Sequence, residues 1–168
     1  MSRIARILKH RLLDEADTRR VIGVEAAARI EARIAASELL HSGEICICVE
    51  AGLPLSYLWR GASARERALM MFSKLRVWDT ESNSGVLIYL LLAEHAIEIV
   101  ADRGVCLHVP PGHWDRIVAG LSEDLHAGRY EPGLLRAIDA VDELLAKHFA
   151  IEAGARNPNE LSNRPRLM

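Results

Sequence analysis

The sequence predicts a three-layer α/β/α sandwich whose mixed sheet of at least three to four strands contains a central antiparallel hairpin. Helical periodicity alternates with short β-branched runs in the order αα-β-α-ββ-αα. Two of the strand-like runs are separated by so few residues that they can form an antiparallel hairpin but not a parallel crossover. Half of the 168 residues are hydrophobic, which is enough to bury the core of one domain.

Residues 1–40 are predicted to form two N-terminal helices. The first, over residues 3–12, places apolar side chains at helical spacing and basic side chains on the rest of its surface: Ile4, Ile7, Leu8 and Leu12 against Arg3, Arg6, Lys9 and Arg11. Packing on its own domain with a solvated basic face is the simpler interpretation. Weak peripheral contact with an anionic membrane is the alternative. Residues 14–23 are expected to connect this helix to the second, over residues 25–40.

The central part of the chain supplies the predicted strands. Residues 44–50 form a β-branched run with charged ends, which predicts a buried strand. Ser63 and Glu66 have the spacing of a capping box and predict the start of a helix. Residues 86–93 and 96–101 predict the two strands of the hairpin.

Two further helices are predicted near the C-terminus, one beginning near Trp114 and the other near Pro132. The apolar pattern fades after Phe149 into a segment rich in Asn and Pro. We therefore expect one domain over residues 1–150 and a flexible tail over residues 151–168.

Composition excludes several classes of function. The 21 basic and 23 acidic residues nearly cancel, so the chain lacks the broad basic surface typical of nucleic-acid binding. No glycine-rich phosphate-binding motif and no serine nucleophile elbow occurs, and no organic cofactor is expected. The sequence has neither the apolar core of a signal peptide nor a run long enough to span a membrane, which predicts a cytoplasmic protein.

The candidate site is an acidic loop of residues 79–85, reading Asp-Thr-Glu-Ser-Asn-Ser-Gly. Glu94 and His95 are not favoured turn residues, so a turn one or two residues longer is the alternative to this pair. If the pair itself forms the hairpin turn, Leu87 faces Asp102 and Gly85 faces Gly104. The loop then meets the corner Asp102-Arg103-Gly104, which we call the Asp-Arg-Gly corner. The loop and the corner together are called the acidic end.

Oxygen-bearing side chains at the acidic end suit a hard cation such as Ca²⁺ or Mg²⁺. The predicted ligands are Asp79, Glu81, Asn83 and Asp102. Arg103 adds a guanidinium suited to a carboxylate or phosphate. The loop is not an EF-hand, because Ser84 stands where that motif requires Gly. A solvated turn without a ligand is the alternative.

The segment over residues 72–89, followed by residues 100–105, resembles the TPM-domain family, with similarity over roughly residues 40–149 and to its short, soluble bacterial version. The family includes plant thylakoid-lumen and cyanobacterial proteins of photosystem II repair, and the resemblance implies an α/β/α sandwich. It also implies two further expectations: the acid phosphatase activity assigned to the plant lumenal branch, and the Ca²⁺ binding assigned to the acidic end of some members.

Residue by residue, the resemblance carries over Asp79, Glu81 and Asp102, with Gly85 and Gly104 shaping the backbone. Ser84 stands where the family often has Asn, and its hydroxyl is a weaker cation ligand. Two functions stay open. One is a non-catalytic binding or accessory module that holds a divalent cation or an unknown protein partner. The other is a metal-assisted acid phosphatase, so whether the protein is an enzyme is left undecided.

Overall fold

The computed structural model describes residues 3–151 and 159–168. Within these ranges the secondary structure consists of the following elements: α1 (Arg3–Arg11), α2 (Glu15–Val21), α3 (Val24–Ser37), β1 (Glu44–Glu50), α4 (Leu55–Trp59), α5 (Ala64–Lys74), β2 (Gly85–Leu91), β3 (Ala96–Ala101), α6 (Arg103–Cys106), α7 (His113–His126), α8 (Tyr130–His148) and β4 (Arg166–Leu167). No described helix is both long and apolar enough to cross a bilayer.

The four strands form one mixed sheet in the order β3-β2-β1-β4. Strands β1 and β2 are parallel, with Glu44 opposite Gly85 and Glu50 opposite Leu91. Strands β2 and β3 are antiparallel, as the sequence predicts. Every residue of β1 and β2 is buried, because helices cover both faces of the sheet.

Side chains that alternate along β1 and β2 separate the core into two layers. One face carries Ile47 and Ile88 and packs against α3, α7 and α8. The other face carries Cys48 and Tyr89 and packs against α4 and α5. Helices therefore lie on both sides of the sheet, and the predicted α/β/α sandwich is confirmed.

The hairpin turn is longer than the predicted pair Glu94-His95. A 3-10 turn occupies Leu92–Glu94, and His95 then adopts a left-handed conformation with φ of 51°. Leu91 consequently pairs with Ala96. The two strands close over a four-residue connection instead of a two-residue one.

This longer turn corrects the predicted register by two residues. Leu87 lies opposite Val100, whereas the sequence predicted Asp102 at that position. Because side chains alternate with a period of two, a shift of two residues preserves the face on which each side chain lies. Asp102 instead meets the start of β2, where its backbone N–H donates to the Gly85 carbonyl at 2.8 Å.

The prediction of a flexible C-terminal tail is wrong for residues 159–168, and residues 152–158 lie outside the described part of the chain. Strand β4 pairs in parallel with β1, with Cys48 opposite Arg166. The N–H of Met168 donates to the Val49 carbonyl at 2.9 Å, and the N–H of Ala51 donates to the Met168 carbonyl at 2.7 Å. Backbone hydrogen bonds at the sheet edge order this segment. Such bonds do not require an apolar periodicity, so the sequence did not indicate them.

The region predicted as a connection, residues 14–23, contains the helix α2. Asp14 caps this helix, because its side chain accepts a hydrogen bond from the Ala16 N–H while the Asp17 carboxylate accepts one from the Asp14 N–H. These reciprocal bonds satisfy two N–H groups that a helix start leaves without partners. The short helices α4 and α6 were also not predicted, since neither is long enough to show a period.

Candidate functional site

The acidic loop, residues 79–85, is closed by its own hydrogen bonds. The hydroxyl of Thr80 accepts a hydrogen bond from the Ser84 N–H at 2.9 Å, and the Asn83 N–H donates to the Thr80 carbonyl at 3.1 Å. Thr80 and Ser84 are buried, while Asn83 is exposed with a left-handed φ of 51°. Asn tolerates this conformation better than most residues. The loop therefore has a defined turn shape with its polar tip in solvent.

The start of β1 anchors the C-terminal half of this loop. The Ser84 hydroxyl donates to the Ser42 carbonyl at 2.9 Å, and the Glu44 N–H donates to the Ser84 carbonyl at 3.3 Å. Ser84 stands where the resembled family often has Asn, and its hydroxyl is therefore engaged in a hydrogen bond to the backbone. Its side chain is fully buried and holds the loop against the sheet.

Gly104 allows the Asp-Arg-Gly corner to touch the acidic loop. A Cβ atom at Gly104 would lie 2.5 Å from the Asn83 carbonyl oxygen and 3.0 Å from that of Ser82. The first distance is shorter than real Cβ contacts and the second is tighter than most of them, so the two backbones approach this closely only because the residue is glycine. The predicted meeting of the two segments is present, despite the register shift in the hairpin.

Asp102 has the most distinctive side chain at this end of the sheet. It caps α6, where its Oδ1 atom accepts a hydrogen bond from the Arg103 N–H at 2.6 Å. Its Oδ2 atom is buried and has no hydrogen-bond partner among the described residues. A buried polar oxygen in this state calls for an explanation, and a bound ion or water is the usual one.

The other predicted ligands lie in solvent. Asp79 is exposed and lies 4.0 Å from the Arg76 guanidinium, and Glu81 and Asn83 are exposed as well. Across the described ranges, no group of three or more Asp, Glu, His or Cys side chains is placed to hold a metal ion. The fold brings the two segments together but leaves the predicted carboxylates apart. The Arg103 side chain is exposed beside them.

Sequence reasoning missed a fourth acidic residue at this end of the sheet, Glu160. Its carboxylate accepts hydrogen bonds from the Glu81 N–H at 3.1 and 3.2 Å. The N–H groups of Glu160 and Leu161 in turn donate to the Glu44 carboxylate at 3.0 and 3.3 Å. The C-terminal segment thus joins the acidic loop to the start of β1. These partners are far apart in sequence, so no local pattern could have indicated them.

Glu44 forms a buried carboxyl pair with Glu38, next to the acidic loop. Both side chains are almost fully buried. Asn163 donates to Glu38 Oε2 at 2.7 Å, and the Ile45 N–H donates to Oε1 at 3.5 Å. Burial, together with the neighbouring Glu44 charge, raises the pKa of Glu38 to about 8. Burial also raises the pKa of Glu44. One proton is therefore held by the pair at neutral pH.

The substitution Glu38→Gln is expected to remove a pH dependence of stability. From its ordinary pKa of 4.5 up to about 8, the folded chain retains a proton on Glu38 that the unfolded chain releases. Wild-type stability from this group therefore falls as pH rises through that window. Glutamine mimics the protonated carboxyl, so the variant should gain stability relative to wild type between pH 5 and pH 8.5, on the order of 2 kcal/mol.

Urea unfolding of both proteins across this range measures the difference. Histidine titrations occur in both proteins and cancel in the comparison. The matched control is Glu31→Gln, since Glu31 lies exposed on α3. A difference between Glu38→Gln and wild type that stays constant with pH would contradict a shared proton in the buried pair.

The comparisons with known proteins agree with this architecture. A sequence model of the TPM domain matches residues 16–144, and the chain belongs to the TPM domain family. The solved structure of the BA42 protein from the psychrophilic bacterium Bizionia argentinensis superposes with a TM-score of 0.73 at 25% identity, covering 86% of this chain and 94% of that one.

A second solved structure, the N-terminal domain of a protein from P. gingivalis, superposes with a TM-score of 0.62. Its identity is 19%, with 83% of this chain and 94% of that one covered, so it supports the fold alone. No protein of curated function matches the chain significantly. The family match covers both segments of the acidic end.

Proposed function

We propose that the protein is a binding module, without turnover of a substrate, whose acidic end holds a divalent cation. The observation that supports this proposal is the Oδ2 atom of Asp102, which is buried and has no donor among the described residues. A buried carboxylate oxygen is unfavourable without compensation, and a cation supplies it. The carbonyl oxygens of Ser82 and Asn83 lie against Gly104 of the same corner and add neutral oxygen donors.

Calcium fits this donor set better than magnesium. Ca²⁺ accepts six to eight oxygens, including carbonyls, in flexible geometry, whereas Mg²⁺ demands a near-octahedral arrangement. Here the donors are the one buried oxygen of the half-buried Asp102 carboxylate, loop carbonyls and the exposed side chains of Asp79, Glu81 and Asn83. Because the exposed carboxylates must close onto the ion, we expect a dissociation constant in the weaker range of protein calcium sites, about 10⁻⁵ to 10⁻³ M.

Two of the three hydroxyl groups of the acidic loop, those of Thr80 and Ser84, support binding over catalysis. The Ser84 hydroxyl donates to the Ser42 carbonyl, and the Thr80 hydroxyl accepts from the Ser84 N–H. Both side chains are buried and their hydroxyls are hydrogen-bonded to backbone groups. Neither hydroxyl is therefore paired with a general base, as an activated nucleophile would be. Metal-assisted phosphatase chemistry stays the alternative, with Arg103 as the phosphate-binding group.

The test is calorimetric titration of Ca²⁺ into wild type and Asp102→Asn. Asparagine caps a helix as well as aspartate does, so the fold should persist while an ionised ligand is lost. We expect the affinity to fall about tenfold or more, equivalent to about 1.4 kcal/mol. The matched control is Asp139→Asn, because Asp139 is half-exposed and pairs with Arg33 on another part of the surface.

Equal calcium affinity in Asp102→Asn and wild type would remove Asp102 from the site. Hydrolysis of an aryl phosphate, measured on the same preparations, separates the two functions. Calcium binding without hydrolysis supports the binding module. Hydrolysis that Asp102→Asn abolishes would favour the phosphatase and overturn the non-catalytic assignment.

A further inference from the structure

Helix α1 presents most of its large apolar side chains to solvent, while Ile7 is half-buried and packs against the core. Ile4, Leu8 and Leu12 recur every four residues, so they form one stripe on the helix and its C-terminal extension. All three are at least 60% exposed. The opposite face, carrying Arg6 and His10, turns toward the protein, and His10 is buried. An ordinary surface helix has the reverse arrangement, with its apolar stripe against the core.

Polar contacts fix α1 in this orientation. Arg6 donates to the Glu94 carboxylate at 2.6 Å and to the Ala62 carbonyl at 2.7 Å. The Leu53 N–H donates to Nδ1 of His10 at 2.9 Å, which leaves Nε2 to donate to Glu94 at 3.0 Å. Rotating the helix to bury its leucines would break all four hydrogen bonds and would leave the Glu94 carboxylate without its partners on α1. The outward stripe is therefore a property of the folded state.

Helix α4 extends the apolar area. It packs against α1 and exposes Leu55 and Trp59, which are 54% and 68% accessible. We define the α1–α4 surface by the five exposed apolar side chains of these two helices and the residue that follows α1: Ile4, Leu8, Leu12, Leu55 and Trp59. Groups of exposed large apolar side chains mark interaction sites on soluble domains.

Helices α1 and α4 contribute only positive charge to this surface, whereas the exposed Asp14 and Glu15 follow Leu12 in the chain. Arg3, Lys9 and Arg11 are exposed on α1, and Arg60 follows α4. Neither Arg3–Arg11 nor Leu55–Trp59 contains an acidic residue, although the whole chain carries a net charge of −2. Basic side chains beside leucine and tryptophan are the composition of helices that lie in the interface of anionic bilayers.

We propose that the α1–α4 surface docks onto an anionic lipid membrane, with α1 lying in the plane of the interface. Charge complementarity favours this occupant over a second copy of the chain, because a symmetric pair would bring the cations of two α1 helices together. Glu94, which anchors α1, lies at the turn of the β2–β3 hairpin, whereas Gly85 and Asp102 lie at its open end. Membrane binding is therefore expected to be independent of calcium.

The experiment is co-sedimentation with vesicles of phosphatidylglycerol and phosphatidylcholine, compared with vesicles of phosphatidylcholine alone. Wild type should sediment with the anionic vesicles at low salt, and high salt should weaken binding. Leu8→Asp should lower the partition coefficient about tenfold or more, because it places a charge in the centre of the apolar stripe. The matched control Leu107→Asp, at a leucine outside this surface that is still more exposed than Leu8, should leave binding unchanged.

Both variants replace exposed side chains, so each should keep the wild-type melting temperature, which circular dichroism checks. Equal loss of binding in Leu8→Asp and Leu107→Asp would overturn the proposal, as would absence of binding to the anionic vesicles. Sedimentation velocity, which measures the oligomeric state, tests whether a second copy of the chain binds this surface instead. A concentration-dependent dimer of wild type that Leu8→Asp abolishes would assign the surface to a second copy and overturn the membrane proposal.

Discussion

Replacing Arg67 with methionine is expected to lower the free energy of unfolding by about 3–5 kcal/mol, because it leaves the Glu50 charge buried without its cation. Arg67 donates to both carboxylate oxygens of Glu50, and the Tyr89 hydroxyl donates to Oε2 at 2.7 Å. All three side chains are buried. Burial alone would lower the pKa of Arg67, but the hydrogen bonds and charge of Glu50 outweigh it and raise that pKa. The guanidinium therefore stays charged.

Urea denaturation monitored by circular dichroism measures this loss. The matched control is Arg65→Met on the same helix, since Arg65 is half-exposed and loses only a 3.4 Å contact with Glu98 and one hydrogen bond to the Ile99 carbonyl at 2.7 Å. That change should cost less than about 1 kcal/mol. Adding Glu50→Gln to Arg67→Met should restore part of the stability. The glutamine carbonyl still accepts the hydrogen bond from the Tyr89 hydroxyl, and no unpaired charge is left in the core. A double variant no more stable than Arg67→Met would contradict the explanation that an unpaired Glu50 charge causes the loss of stability.

The substitution Gly85→Ala is expected to destabilise the fold by about 3 kcal/mol through overpacking. A Cβ atom at this position would lie 1.9 Å from the Val77 carbonyl oxygen, well inside contact distance. The obstacle is backbone, since the Val77 N–H is itself bonded to the Phe72 carbonyl at 3.0 Å. Either the turn after α5 or the first residue of β2 must shift. The acidic loop connects these two points and should shift with them.

Thermal and urea unfolding check this expectation against Gly120→Ala. Gly120 lies within α7, and no atom lies within 4 Å of a Cβ added there. Alanine should stabilise that helix by about 0.5–1 kcal/mol, so the two glycine-to-alanine changes are expected to have opposite signs. A Gly85→Ala variant as stable as wild type would show that the turn has room to move.

The features that sequence predicted well are those with a local signal. Strand β1 begins at Glu44 and ends at Glu50, the limits that its β-branched run indicates. The capping box at Ser63 marks the start of α5. The antiparallel hairpin was also predictable from its pattern, but its register was not, because the turn residue His95 adopts a left-handed conformation that is uncommon among non-glycine residues.

The missed features have partners far away in the chain. Strand β4 is only two residues long, and pairing with β1 orders it. The buried carboxyl of Glu38 is held by Asn163, and the acidic loop is tied to Glu160. The sequence separation of such partners follows no regular spacing, so these contacts cannot be predicted from a local pattern. The capping pair Asp14 and Asp17 before α2 was a readable signal, although a helix of seven residues shows little periodicity.

The meeting of the acidic loop with the Asp-Arg-Gly corner was predictable from the sequence, whereas the burial of the side chains there was not. The pairing of β2 with β3 places Asp102 at the acidic loop, and Gly104 allows the close approach of the two segments. The hairpin pattern predicted this meeting from the sequence. It did not indicate that only one predicted ligand, Asp102, presents a buried oxygen, or that Asp79 and Glu81 lie in solvent. Side-chain burial depends on the tertiary packing around α6, which no local pattern encodes. The proposed cation site and the proposed membrane surface thus occupy opposite ends of the β2–β3 hairpin.

Amide NMR shifts recorded during a Ca²⁺ titration test the central claim most directly, because they report where the cation acts as well as whether it binds. The account predicts saturable shifts in residues 79–85 and 102–104, with little change at α1 and α4. Absence of shifts up to millimolar Ca²⁺, or shifts centred away from these two segments, would contradict a cation site at the acidic end.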